Sequence, residues 1–241
     1  GRSVYSFCMC PGGTVVAATS EEGRVVTNGM SQYSRNERNA NAGIVVGIDP
    51  PDYPLDTAAW RAAFGDEDGA QLAHEAQELA AQQPPVAHPL SGIVLQRQLE
   101  TRAFEVGGGN YEAPGQLVGD FLAQRPSTTW GSVLPSYKPG VKLVDLAEVL
   151  PGYAVAAMRE ALPVFGRKIK GYDMADAVMT GVETRTSSPL RMPRGEDFQS
   201  VNTRGLYPAG EGASYAGGIL SAGVDGIKVA EALSIDVLAS R

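Results

Sequence analysis

The sequence has few cysteines and histidines and no long apolar run. Two cysteines among 241 residues are too few for a disulfide scaffold and fit a reducing compartment, so we expect a cytoplasmic protein. His74 and His88 lack ligand spacing to the cysteines, so we expect no metal site. Every uncharged stretch is too rich in glycine, proline or serine to supply the ~20 mostly apolar residues that cross a bilayer.

The sequence also starts without a methionine and without a targeting pattern. Gly1 and Arg2 stand where a complete gene product would begin with methionine, which indicates a chain processed or cut from something longer. No basic head precedes an apolar stretch, so we predict no signal peptide and no membrane association.

Basic charge is in deficit, with 20 Lys and Arg against 27 Asp and Glu. A net charge of −7 argues against electrostatic binding of nucleic acid. The excess is local, because residues 52–112 hold ten acids and three bases and the remainder is balanced. At 43% hydrophobic residues the chain can form a core, so we expect a folded protein rather than a disordered one.

Composition and periodicity divide the chain into four segments and predict a mixed α/β fold. Residues 1–50 are β-rich, 51–134 form an acidic helical insertion, 135–180 return to helix and strand, and 181–241 form a C-terminal element. Strands are predicted at 14–18, 24–27, 43–48, 177–179, 189–192 and 205–209.

Prolines punctuate the helical segments. Pro84, Pro85 and Pro89 should separate two helices of the insertion. A later helix around residues 155–165 should end or kink at Pro163.

The segment richest in chemical information is residues 205–219, with the sequence GLYPAGEGASYAGGI. It predicts a strand, a turn in which Gly210 and Gly212 flank Glu211, and then a helix. Because glycine lets backbone approach a ligand closely, Glu211 can accept hydrogen bonds from sugar or polyol hydroxyls. The alternative is a tight strand–turn–helix crossover that binds nothing.

The helix after this turn should start with free N–H groups and pack closely on a neighbour. Gly217 and Gly218 open it, and its N-terminus favours an anionic or electron-rich group. Leu220, Val224 and Ile227 form a bulky apolar face opposite a face of small residues, while Asp225 should point outward.

Three separated motifs resemble one bacterial family, usually described as uncharacterised FAD-dependent or NAD-utilising dehydrogenases. They are residues 6–13 (SFCMCPGG), 181–191 (GVETRTSSPLR) and 225–232 (DGIKVAEA). The 205–219 segment resembles the C-terminal flavin motif of glutathione-reductase-like flavoproteins. The resemblance is specific at 1–48 and 135–233 and vague over the acidic insertion.

The resemblance implies the middle and C-terminal portion of an FAD-dependent oxidoreductase. The implied fold is a substrate-side β region, a helical insertion and the C-terminal strand–helix element of a Rossmann-like FAD domain. FAD would contact the glycine-rich turn and helix start, namely Gly210, Glu211, Gly212, Gly217, Gly218 and Ile219. Family members hold the FAD pyrophosphate with a GxGxxG sequence near their N-terminus, and this chain contains none.

The implied reaction is hydride transfer through flavin to or from a small substrate. NAD(P) as a further electron carrier is compatible with the resemblance, as is a homodimer. The residues identify neither the substrate nor a catalytic base.

Two further groups have a functional and a structural interpretation. Arg185, Thr186 and Ser187 could bind a carboxylate-bearing substrate or the flavin edge, or form a polar turn. Cys8 and Cys10 would share a face of a regular strand, as a redox dithiol, a flavin-facing thiol or small packing residues.

Two other functions remain open at this point. The chain could be a truncated, non-catalytic fragment that binds no cofactor and self-associates through unpaired strand edges. Alternatively, it could be an enzyme that uses Cys8 and Cys10 without flavin.

Overall fold

A computed structural model describes residues 2–185, 188 and 190–239. It confirms the mixed α/β class, with two small sheets among helices in the described part of the chain. The strands are β1 Val4–Ala17, β2 Thr27–Met30, β3 Asn39–Val46, β4 Ala113–Leu117, β5 Val141–Leu143 and β6 Val178–Thr180. The α-helices are α1 Thr57–Phe64, α2 Asp66–Ala80, α3 Ser91–Gly107, α4 Val118–Leu122, α5 Gly152–Lys168 and α6 Ile219–Ala239.

The first sheet is antiparallel in the order β2-β1-β3. The strand predicted at 43–48 is confirmed as the second half of β3, whereas β1 is much longer than the predicted run at 14–18. The prediction at 24–27 is wrong for most of its length. Val25 and Val26 are buried outside the sheet, and the Val25 amide bonds to the carbonyl of Glu100 in α3 at 3.0 Å.

The second sheet has β4 between a parallel β5 and an antiparallel β6. Strand β4 lies within the 51–134 segment, so that segment contributes to a sheet completed by later residues. The sequence of β4, APGQL, shows no strand pattern because it contains proline and glycine. Its residues 113–116 are nevertheless buried.

The helices predicted within residues 51–134 are confirmed by α1 to α3. Asp56 caps α1 by accepting from the Ala59 amide at 2.8 Å. Trp60 is fully buried in a cluster with residues of α2 and α3. The loop between α2 and α3 contains Pro84, Pro85 and Pro89, which were predicted to separate two helices.

Helix α5 does not end at Pro163, which lies inside it. Proline removes one intrahelical hydrogen bond and costs about 3 kcal/mol in a helix interior. Packing offsets this cost, since Val155 and Leu162 on the same helix are buried against α4 and the 3₁₀ turn Leu146–Glu148.

The predicted strands at 189–192 and 205–209 are not formed. Pro189 lies outside the described residues, and the segment 190–218 consists of turns and one isolated bridge between Arg194 and Ser200. A strand needs a neighbouring strand to satisfy its backbone groups, and no described residue supplies a ladder at 205–209. The helix predicted after the glycine-rich turn is confirmed as α6.

The segment 190–239 is held together mainly by polar contacts. None of the three buried apolar clusters seen in the described residues includes any of its side chains. Most apolar side chains of α6 are exposed, including Leu220 at 86%. In the described part of the chain, no helix combines the length and apolar character needed to cross a bilayer.

Candidate site at the glycine-rich turn

The candidate site is the glycine-rich turn, residues 210–218, together with the start of α6. Gly210 and Gly218 have positive φ values of 68° and 137°, and so does Ser214 at 63°. Glycine adopts this backbone region without penalty. The turn is closed by two hydrogen bonds, from the Tyr215 amide to the Gly210 carbonyl and from the Ser214 amide to the Glu211 carbonyl, both 3.0 Å.

The turn leaves open space on its glycines. A Cβ placed on Gly212 or Gly217 would meet no atom within 4 Å. On Gly210 and Gly218 the nearest atoms would be the Cβ of Ala222 and the Oγ of Ser221, both at 3.9 Å. The protein therefore leaves the space next to these glycines open.

Glu211 is half-buried. Only its backbone carbonyl takes part in a hydrogen bond with the described residues, so its carboxylate oxygens are free to accept from a ligand. Ile219 at the start of α6 is 89% exposed. The carboxylate and the helix N-terminus are thus both accessible.

Asp225 and Arg194 fasten the turn to α6. The carboxylate of Asp225 accepts from both terminal nitrogens of Arg194, at 2.9 and 2.5 Å, and from the Gly210 amide at 2.8 Å. Arg194 also donates to the Pro208 carbonyl at 2.7 Å. The expectation that Asp225 points outward is wrong: both side chains are about nine-tenths buried, because the ion pair turns that face of α6 toward the turn.

Aromatic rings complete this arrangement. The guanidinium of Arg194 lies 3.7 Å from the centre of the Tyr215 ring and 4.7 Å from that of Phe198. Its hydrogen bond to Asp225 raises the pKa of Arg194, and the same bond lowers the pKa of Asp225 to about 2. Both groups are therefore ionised throughout the physiological range.

Cys8 lies near the candidate site although it precedes Glu211 by about 200 residues. Partial desolvation raises the pKa of the Cys8 thiol, and the nearby Cys10, Glu183 and Glu211 raise it further. The carboxylate of Glu183 lies over Gly43 of β3, where a Cβ would be 3.5 Å away. Desolvation by the surrounding protein raises the pKa of the Glu183 carboxyl, although the residue as a whole remains exposed. Charges from the first two sequence motifs and from the glycine-rich turn thus act on one thiol.

The two cysteines do not lie on a regular strand. The register of β1 with β3 shifts between Phe7 and Cys10, and Cys8 has φ 53°. An extra residue of this kind breaks the alternation that would put both thiols on one face. Accordingly Cys8 is exposed and Cys10 is buried, with its thiol donating to the Cys8 carbonyl at 3.1 Å.

The Arg185 side chain forms hydrogen bonds within the protein. It donates to both carboxylate oxygens of the fully buried Glu100, at 3.2 and 3.1 Å, and to the Ser20 hydroxyl at 2.5 Å. Thr186 and Ser187, predicted with it to bind substrate, lie outside the described residues. Arg185 is about one-third exposed, so one side of its guanidinium still faces solvent.

A cavity of about 480 Å³ lies elsewhere, between α3 and β5. Its lining includes Arg102, Lys142 and Asp145 and no residue of the glycine-rich turn. No group of three or more metal-ligating side chains comes together in the part of the chain that the structure describes.

Sequence reasoning missed Arg194 as a functional residue and misplaced Asp225. One signal pointed to Asp225, because it is the sole acidic residue in the first half of an otherwise apolar helix. Nothing in the pattern around Arg194 identified it. The approach of Cys8 to Glu211 depends on tertiary structure alone.

Known proteins resemble this chain over nearly all of its length. The family model described as "FAD-dependent protein, C-terminal domain-like" matches residues 1–186. An uncharacterised protein of Clostridium beijerinckii is 49% identical over 230 residues, which cover 95% of this chain and 37% of that protein. The chain thus spans little more than a third of the relative's length, and its glycine-rich turn lies beyond the family match. The chain belongs to the FAD-dependent protein family, in its C-terminal domain-like part.

Proposed function

We propose that this chain is the part of an FAD-dependent oxidoreductase that holds the flavin end of FAD at the glycine-rich turn. When bound, FAD supplies the electron chemistry, with hydride passing between the cofactor and a small substrate. Membership of the FAD-dependent family supports the cofactor. The dehydrogenase reaction and NAD(P) as electron partner are further parts of this proposal.

Each residue of the turn has a physical role in the proposal. Gly210 and Gly212 let the backbone approach the ligand, and Glu211 accepts hydrogen bonds from polyol hydroxyls. Gly217 and Gly218 keep the N-terminus of α6 uncovered. Partial positive charge at that end favours a ligand group on which negative charge develops.

The observation that carries the proposal is the open space at the turn. A ligand-free crossover would be expected to pack its turn against neighbouring elements. Here a Cβ at Gly212 or Gly217 would touch nothing, while a buried ion pair fixes the same turn. A rigid turn with an empty face is typical of a binding site.

The direct test is titration of the purified chain with FAD, followed by flavin fluorescence and absorbance near 450 nm. We expect saturable binding that Glu211→Ala and Gly217→Val weaken by at least about tenfold, as loss of a hydrogen bond to a charged group or a steric block would. Gly223→Val is the matched control, since a Cβ on Gly223 also has no atom within 4 Å but lies a full helical turn beyond the N-terminus. A signal that does not saturate, or that responds equally to all three variants, would contradict the proposal.

A second candidate function is supported by α6. Its apolar side chains are exposed along most of its length, as in a fragment that self-associates and binds no cofactor. A colourless protein that forms stable oligomers and fails to take up FAD would favour this second function.

A further inference from the structure

The ion pair behind the glycine-rich turn has a role beyond anchoring α6. We propose that Arg194 and Asp225 are positioning residues that fasten the backbone on both sides of Glu211 and so hold its carboxylate at the open side of the turn, where its charge acts on Cys8. This inference rests on the proposed function, because the ligand in question is FAD. It adds two residues to the site: Arg194, which lies outside the three sequence motifs, and Asp225, which opens the third motif but was expected to point outward.

The contacts of the pair reach the chain on both sides of Glu211. Before it, Arg194 donates to the Pro208 carbonyl at 2.7 Å and Asp225 accepts from the Gly210 amide at 2.8 Å. After it, the Arg194 guanidinium stacks 3.7 Å from the Tyr215 ring centre, and the Arg194 amide donates to the Tyr215 hydroxyl at 2.9 Å. The turn is therefore fixed at its two ends by the same two side chains.

Apart from the hydrogen bond that its carbonyl accepts from the Ser214 amide, Glu211 has few restraints of its own. Its neighbours Gly210 and Gly212 have no side chains to pack, and glycine is the residue with the greatest backbone freedom. Gly212 has no atom within 4 Å of a Cβ position. The position of Glu211 thus depends on hydrogen bonds within the turn and at its ends, and the buried, fork-shaped ion pair supplies those that reach Pro208 and Gly210.

Geometry explains why an arginine is needed here. Its planar fork donates to both oxygens of Asp225 and still reaches the Pro208 carbonyl, whereas lysine keeps the charge without the fork. A purely structural pair would tolerate Arg194→Lys with a modest loss of stability. A positioning pair would lose the orientation of Glu211.

The thiol of Cys8 provides a reporter that requires no bound cofactor. Cys10, Glu183 and Glu211 are the ionisable groups whose charges act on it. The experiment measures the rate of iodoacetamide alkylation of Cys8 in the full chain as a function of pH, with Cys8 and Cys10 distinguished by peptide mass spectrometry. Removing the Glu211 charge should raise the alkylation rate about twofold near pH 8, because a thiolate is no longer repelled.

The variants distinguish a change in the position of Glu211 from a general loosening of the fold. We expect D225N and R194K to raise the Cys8 rate as E211Q does, and D225N combined with E211Q to be no faster than E211Q alone. The matched control is D52N, which breaks the other two-pronged arginine–aspartate pair, with Arg2. It should leave Cys8 unchanged.

Three results would overturn the inference. In the first, D225N and R194K leave the Cys8 rate unchanged while E211Q raises it. In the second, E211Q has no effect, so Glu211 does not face Cys8. In the third, the D225N and E211Q effects multiply, so D225N acts by opening the fold rather than through Glu211.

Titration with FAD distinguishes this inference from the proposed function. If both hold, D225N weakens FAD binding and the Cys8 rates behave as expected. If FAD fails to bind while the Cys8 rates behave as expected, the proposed function falls and the positioning role of the pair stands.

Discussion

At the scale of single residues, two buried carboxylates determine how the motif-bearing segments are attached. Glu100 of α3 is fully buried and receives the Thr184 hydroxyl at 2.7 Å and two nitrogens of Arg185. Asp225 of α6 likewise accepts from Arg194 and from the Gly210 amide of the glycine-rich turn. Each carboxylate ties a loop without regular secondary structure to a helix, so the charge pairs replace the apolar packing that these loops lack.

Arg185→Ala should lower the free energy of unfolding by about 3 kcal/mol, because it removes the hydrogen-bonded counter-charge of the buried Glu100 carboxylate and leaves the Thr184 hydroxyl as its hydrogen-bond partner. Urea unfolding followed by tryptophan fluorescence measures the change. Arg102→Ala on α3 is the control, since Arg102 pairs with Glu105 on the surface and should cost less than about 1 kcal/mol. Equal effects of the two variants would show that Glu100 does not depend on Arg185.

The stability of the α6 attachment should depend on pH through Asp225. Its pKa is lowered to about 2 in the folded chain from about 3.9 when unfolded. The pair therefore stabilises the folded state fully above about pH 5 and loses this contribution as the pH falls toward about 2. With allowance for solvent screening the contribution is about 1–2 kcal/mol at neutral pH.

The measurement is urea unfolding monitored by circular dichroism for the wild type and Asp225→Asn. The difference in free energy of unfolding between the two proteins should have its full size at neutral pH and shrink toward zero near about pH 2. A difference that stays constant across this range would rule out ionisation of Asp225 as its source.

At the scale of elements, the PGG part of the first motif is explained by packing rather than by ligand binding. Gly12 has φ 58°, and a Cβ there would collide with the Arg35 carbonyl. A Cβ on Gly13 would collide with the Met30 carbonyl and lie 2.9 Å from the Cβ of Cys10. These glycines let β1 pass between the neighbouring loop and strand, and the register shifts next to them set the exposed position of Cys8.

Gly12→Ala should therefore destabilise the chain by about 2–4 kcal/mol, since it combines a disfavoured backbone conformation with a steric clash. Gly23→Ala is the matched control. Gly23 also has a positive φ, 69°, but open space around it, so its cost should be about 1 kcal/mol. Thermal unfolding of both variants tests this, and indistinguishable losses would mean that the clash is relieved elsewhere.

At the scale of the whole molecule, the main feature is the exposed apolar surface of α6. No other helix or strand in the described residues packs extensively against it, and Leu220, Val224 and Ile227 are each more than half exposed. An apolar surface of this size marks an interface. The chain spans 37% of the length of its curated relative.

The isolated chain should accordingly self-associate through α6. We expect light scattering coupled to size-exclusion chromatography to give an oligomer for the wild type and a monomer for Leu220→Glu combined with Ile227→Glu. Leu134→Glu is the control, because Leu134 is an exposed apolar residue outside α6. A wild-type chain that runs as a monomer would contradict this prediction.

Local patterns predicted the elements whose stability comes from their own residues. Helices α2 and α3 follow from apolar periodicity and from the prolines between them. The same reasoning did not predict that α5 would continue past Pro163 or that β4 would form, since packing supplied by distant residues outweighed a local penalty in both cases. It also failed at 205–209, where the sequence has a strand pattern but no described residue offers a partner strand.

Of the candidate site, the sequence alone determined the glycine-rich turn, the lone acid within it and the helix that follows, because glycine placement and apolar periodicity act over a few residues. Only the tertiary structure decided that Arg194 and Asp225 fasten this turn, that Cys8 approaches Glu211, and that Arg185 pairs with Glu100. These contacts join residues 15 to about 200 positions apart. Their partners are selected by burial, since a charge removed from water must find its counter-charge wherever the fold brings one near.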